Sequence, residues 1–275
     1  MSDQGDPLAR IADALERLAA ARPAQPDWTA APAYVWDQTG GRAVARLVAP
    51  ALDLLKGIDA QKALVSGNVT RLAAGHAAHD MLLWGARGMG KSALLRASVI
   101  AAQAQDPSTL ALVQVAPDAF AALPRLFAAL GAEQRRFLVF IDDLGFADGD
   151  SEGPRALRSW LEGGVDARPG NVRLAVTANR RAIVARHASE QDDPINPRDA
   201  VDDKLALADR FGLSIGFHAC SQDDYLAIVG GYCASLGLVW DQGEALEWAK
   251  RRGARSGRVA WQFVTELAGR AGQSL

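Results

Sequence analysis

The residues 82–97, LLWGARGMGKSALLRA, carry Gly85, Gly90, Lys91 and Ser92 in the spacing G-x-x-x-x-G-K-[ST], with a third glycine at Gly88. Glycines there let a loop wrap tightly enough for successive backbone N–H groups to point at phosphate oxygens, and a helix starting at the lysine adds its positive end. The cradle comprises Gly85, Ala86, Arg87, Gly88, Met89 and Gly90, then Lys91, Ser92 and Ala93 in the first helical turn. Lys91 would meet the β- and γ-phosphates, and the Ser92 hydroxyl would ligate Mg²⁺. A second cluster lies at the end of FLVFID, where Asp142 is followed by Asp143. Beside a cation, the first acid holds the metal and the second orients or deprotonates an attacking water; without one, two adjacent carboxylates repel. Asn179, at the tip of VRLAVTA, is placed to hydrogen-bond a γ-phosphate and that water, or else to cap the next helix.

These groups need strands to carry them. MLLW (81–84), LALVQV (110–115), FLVFID (137–142), VRLAVTA (172–178) and LSIGF (213–217) are short apolar runs separated by helix-length segments, which predicts a five-stranded parallel sheet buried on both faces. A helix is expected over 92–104, another helical pattern over 43–55, and a turn and helix after Gly57. Beyond Phe217 only helical spacing remains. The chain therefore divides into an N-terminal amphipathic helix (1–21), a Pro-containing linker (22–42), an α/β domain (43–220) and an α-helical domain (221–275).

Composition excludes several classes. A formal net charge of −2 offers no global attraction to nucleic acid or an anionic membrane, so such binding would rest on a local patch. The sequence has no signal-peptide pattern and no apolar run of membrane-spanning length, which places the protein in the cytoplasm with no membrane contact. Cys220 and Cys233 are too few and too far apart for a zinc knuckle or redox pair and read as small core residues. The pair His76 and His79 lacks companion ligands for a metal site.

Taken together, LLWGARGMGKSALL, FIDDLGFADGD, TANRR, DRFGLSIGF, QDDYLAIV and SGRVAWQF resemble the AAA+ P-loop ATPases, and within them a bacterial family catalogued as a domain of unknown function; the resemblance covers roughly 43–269. It implies ATP as ligand, an α/β core and an α-helical lid. It also implies that Arg210, just before the fifth strand, reaches the γ-phosphate of a neighbouring subunit as an arginine finger, which makes self-association part of the activity. The alternative is that Arg210 pairs with Asp209 or a nearby acid. In the lid, Arg258 matches the second-sensor arginine of branch-migration motors and Arg255 that of unfoldases; Arg258 is preferred. Lys250, Arg251, Arg252, Arg255 and Arg258 also form a basic run, without an aromatic platform for nucleic acid.

Two departures stand out. The family's second acid is usually Glu, and Asp143 is one methylene shorter, which puts positioning of the water in question. No unfoldase-type pore loop is evident. The expected function is Mg²⁺-dependent ATP hydrolysis to ADP and phosphate in an oligomer that remodels a client; the alternative is a nucleotide-dependent switch or adaptor with little hydrolysis. A small-molecule phosphotransferase would leave Asn179, Arg210 and the lid without a use. The acidic segment 189–204 reads as a solvated loop or a partner site.

Overall fold

In a computed structural model of the chain, residues 25–146, 152–162, 168–179 and 207–275 are described. The N-terminal amphipathic helix and the acidic segment expected from the sequence lie outside these residues.

The strands are β1 (Ala33–Trp36), β2 (Gly41–Val44), β3 (Met81–Gly85), β4 (Leu110–Val115), β5 (Arg136–Ile141), β6 (Val172–Ala178) and β7 (Leu213–Phe217). They form one sheet in the order β2-β1-β4-β5-β6-β3-β7, parallel except where β2 pairs antiparallel with β1. The five strands read from apolar runs are β3 to β7. To these the structure adds a hairpin at one edge: β1 lies within the stretch assigned to a linker, and β2 straddles the end of that linker and the start of the stretch assigned to a helix over 43–55. That helix does not form. Past Val44 the chain is irregular apart from a short 3₁₀ turn at Leu52–Leu54. Pro50 interrupts the helical pattern, and Leu47, Ala49, Leu52, Leu54 and Leu55 pack against the core from largely irregular backbone instead.

The helices are α1 (Asp59–Ala73), α2 (Lys91–Gln103), α3 (Leu123–Gly131), α4 (Glu152–Glu162), α5 (Gln222–Leu236), α6 (Gln242–Arg251) and α7 (Gly257–Arg270). The last three open on side-chain caps: Ser221 accepts from Asp224 N, Asp241 from Glu244 N and Ser256 from Val259 N. Alternation along β5 divides the core. Leu138 and Phe140 face α1, α2 and the C-terminal helices, whereas Phe137, Val139 and Ile141 face α3, α4 and the aromatic N-terminal segment. The first cluster runs without a break from Leu94 and Phe140 to Tyr225, Val229 and Phe263, so the C-terminal helices share the sheet's core.

The hairpin is tied down by polar groups. Arg135 is 6% exposed, and its Nη1 donates to the carbonyls of Trp28 (3.0 Å), Thr29 (3.3 Å) and Ala31 (2.7 Å) while Nη2 donates to those of Pro107 (2.7 Å) and Leu110 (3.0 Å). The Tyr34 hydroxyl donates to Asp27 O and accepts from Ala31 N, and its ring packs 4.8 Å from that of Trp28. Asn68 holds both the N–H and the carbonyl of His79, just before β3.

Arg135→Leu would strand several buried carbonyls, and at about 1 kcal/mol each the unfolding free energy in urea is expected to fall by ~3 kcal/mol or more. The two cysteines are buried and unpaired, and burial pushes the Cys220 thiol up to about 11 and Cys233 upward as well. A raised folded pKa means that stability present below the ordinary thiol value of 9.0 is lost as pH rises towards about 11. Native protein at pH 8 is expected to resist thiol reagents until it is unfolded; fast labelling of the native state would contradict the buried placement.

Candidate functional site

The carboxyl ends of β3, β5, β6 and β7 lie on one side of the sheet, where open α/β proteins place their ligands. The loop after β3 is shaped by its glycines. Gly85 has φ 119°, and a Cβ on it would collide with the carbonyl oxygen of Phe217; that oxygen accepts a hydrogen bond from Ala86 N at 2.8 Å. Gly88 has φ 73°, and Arg258 N, in the first turn of α7, donates to its carbonyl at 3.2 Å. A side chain at Gly88 would press on Ser256 Oγ, 2.9 Å from the Cβ position. The loop is thus held by β7 on one side and by α7 on the other.

Gly90, also left-handed at φ 85°, precedes α2, whose first N–H groups have no intrahelical partner. Lys91 is 8% exposed, and its Nζ reaches back to donate to Gly85 O (2.8 Å) and Ala86 O (2.9 Å). Burial pushes its ammonium below the ordinary lysine value, while the carboxylates of Asp143 and Asp142 pull it back up. An anion beside this amine would relieve the same desolvation.

The acids follow β5. Asp142 Oδ1 accepts from the Ser92 hydroxyl (2.7 Å) and from the Thr177 hydroxyl (2.6 Å). Asp143 stands at φ 53°, the only described non-glycine with positive φ; its N–H donates to Thr177 Oγ1 (2.7 Å), and its carboxylate accepts from Asn179 Nδ2. A left-handed position favours Asp or Asn over longer side chains, so the backbone itself accounts for Asp rather than Glu here.

A cavity of about 980 Å³ gathers these groups. Of the predicted residues, Arg87, Gly88, Met89, Gly90, Lys91, Ser92 and Ala93 form part of its wall, and so do Asp142, Asp143, Asn179 and Arg258. Gly85 and Ala86 stand behind the loop and anchor it instead. Lys56 and Arg96 bring the lining cations to five against two acids, a balance that suits a polyanion. At the other end Ile58, Ile228, Tyr232 and Trp261 supply an apolar wall, with the two aromatic rings 4.9 Å apart. Ser92 and Asp142 offer an all-oxygen donor pair, the chemistry that Mg²⁺ prefers, and the loop and Lys91 fit a phosphate chain.

Two predicted residues lie elsewhere. Arg210 does not line the cavity of its own chain; it pairs with Glu162 at the end of α4. Arg255 is exposed and also absent from the wall, so of the two lid candidates only Arg258 faces the cavity. Sequence reasoning missed Thr177, Ser256 and the aromatic pair. Thr177 had a readable signal: it is the sole hydroxyl in an apolar strand and sits two residues before Asn179, hence on the same side. Glu162 had none.

Similar proteins share this fold. The Thermotoga maritima RuvB Holliday junction branch migration motor matches with a TM-score of 0.53 at 16% identity, over 83% of this chain and 68% of that one. The Aeropyrum pernix Orc1 protein, in a structure with DNA, matches with a TM-score of 0.54 at 15% identity, over 78% of this chain and 61% of that one. At such identities the likeness is one of fold, and the fold is that of the AAA+ ATPases. No curated protein matches the chain. The family model described as "Protein of unknown function (DUF815)" matches residues 29–271, and the chain belongs to that family.

Proposed function

We propose that the chain is a Mg²⁺-dependent AAA+ ATPase that hydrolyses ATP to ADP and phosphate in a cytoplasmic oligomer and uses the motion of its C-terminal helices to remodel a client. The observation that carries this reading is the convergence of Lys91, Ser92, Asp142, Asp143, Asn179 and Arg258 on one cavity from four separate segments. In this reading the loop 85–90 and Lys91 hold the phosphates, and Ser92 and Asp142 hold Mg²⁺, which when bound neutralises charge on the phosphoryl group. Asp143, steadied by Asn179, orients or deprotonates the attacking water. The aromatic and apolar wall accommodates the base.

Arg258 enters from the helical part, taken as 221–275, and its backbone bond to Gly88 links that part directly to the phosphate loop. Arg210 is absent from the wall of its own chain's cavity, as a group serving a neighbour's site would be, and pairs with Glu162. RuvB is a branch migration motor and Orc1 binds DNA in its structure, but a net charge of −2 gives no similar pointer here. In the basic run of the helical part, Arg252 stacks on Trp248 at 4.2 Å and Lys250 lies 3.7 Å from Glu247.

The second reading, a switch that binds ATP with little hydrolysis, is favoured by one observation: the short Asp143 side chain is already engaged by Asn179. Turnover measured with Mg²⁺ over a wide range of protein concentration separates the two. Turnover per subunit is expected to rise with concentration, to be lost in Lys91→Ala together with ATP binding, and to fall by about 100-fold or more in Arg210→Ala. Asp143→Asn, isosteric and at ease in a left-handed position, is expected to keep ATP binding and lose turnover. Lys91-dependent binding with no turnover at any concentration would establish the switch.

A further inference from the structure

One buried hydroxyl holds both acids. Thr177 is 2% exposed, and its single hydroxyl proton goes to Asp142 Oδ1 while its oxygen accepts the N–H of Asp143. Its carbonyl accepts Leu144 N at 2.8 Å, so three hydrogen bonds from this residue pin the turn that follows β5.

The sheet register explains why it is this residue. In the parallel pairing of β5 with β6, Ile141 opposite Val176 is the last pair, and Asp142 and Thr177 are the next residues on the two strands. There the ladder ends. At φ 53° Asp143 cannot offer its N–H to a regular parallel partner, and the Thr177 side chain supplies the acceptor that the backbone does not. A valine would fit the same space and strand propensity but leave that N–H without an acceptor.

The hydroxyl also decides which oxygen of Asp142 is available. Oδ1 already accepts from Ser92 and Thr177, which uses the two lone pairs of a carboxylate oxygen. Oδ2 has no hydrogen bond among the described residues. Without Thr177 the carboxyl group could turn about its Cβ–Cγ bond, and the position of its free oxygen relative to the Ser92 hydroxyl would no longer be set.

Resting on the proposed nucleotide site, we infer that Thr177 is a positioning residue: it presents one oxygen of Asp142 to the Mg²⁺ shell and holds Asp143 in its left-handed backbone so that both acids face the cavity. Thr177 stands in the cavity wall beside the two acids, and its hydroxyl is committed to them, so it acts through them.

The test compares wild type, Thr177→Val and Thr177→Ser, using a fluorescent ATP analogue titrated at increasing Mg²⁺, steady-state turnover, and unfolding midpoints. In Thr177→Val, analogue binding without Mg²⁺ is expected to stay within about 3-fold of wild type, while half-saturating Mg²⁺ rises about 10-fold and kcat falls about 10- to 100-fold with little change in KM. Thr177→Ser, which keeps the hydroxyl, is expected to stay within about 3-fold of wild type throughout. If the valine variant loses cooperative unfolding, Thr177→Ala replaces it, because Ala and Ser differ here by the hydroxyl alone. Wild-type Mg²⁺ dependence in a folded variant without the hydroxyl would overturn the inference while leaving the nucleotide site standing, and so would equal losses in Ser and Val. Absence of Lys91-dependent analogue binding in the wild type would overturn the site itself. If turnover is negligible in every form, the Mg²⁺ dependence of binding still decides.

Discussion

The site depends on one close approach, the end of β7 against the start of the glycine loop. Phe217 O occupies the space where a side chain at residue 85 would begin, and it accepts the N–H of Ala86. This contact turns the chain out of β3 at φ 119° and delivers it to the left-handed Gly90, so that α2 starts with its free N–H groups towards the cavity. Lys91 closes the turn by donating back to Gly85 O and Ala86 O. A group that could have remained in water is thereby buried on the loop, at a desolvation cost visible in its lowered pKa.

From that loop the arrangement spreads in two directions. Towards the sheet, the Ser92 hydroxyl meets Asp142, and through Thr177 the two acids and Asn179 become one hydrogen-bonded set. Towards the C-terminal helices, Gly88 receives Arg258 N while Ser256 both caps α7 and packs on the loop. The same few residues therefore feel the end of β6 and the start of α7. A displacement of either element would therefore reach the glycine loop, because a direct contact transmits movement that a flexible linker would absorb.

The hairpin and the ion pair mark where local reading stops. Trp28, Tyr34 and Trp36 are large and buried, yet the prolines around them read as a linker; only Arg135, a hundred residues away, shows why that segment is folded onto the sheet. Over 43–55 the apolar spacing was helical, but a helix of that length draws its stability from tertiary packing, and the chain instead lays Val48, Pro50 and Leu54 along the rim of the cavity. Arg210 is legible as a cation before β7, whereas its partner Glu162 sits on another helix 48 positions earlier by sequence number and carries no local sign of that role.

By itself, the sequence determined the β3 to β7 strands, the glycine loop, the two acids at the end of β5 and the polar tip of β6, because each of these is a local pattern: continuous apolar runs for strands buried on both faces, and glycines followed by Lys91 and Ser92 for a loop that must bend into a helix. Only the tertiary structure decided that Thr177 joins the acids, that Asp143 occupies a left-handed backbone suited to its short side chain, that Arg258 rather than Arg255 faces the cavity, and that two further strands cover the sheet edge. Those outcomes depend on register between distant strands and on which side chains meet across the cavity, and spacing along a single chain holds no record of either.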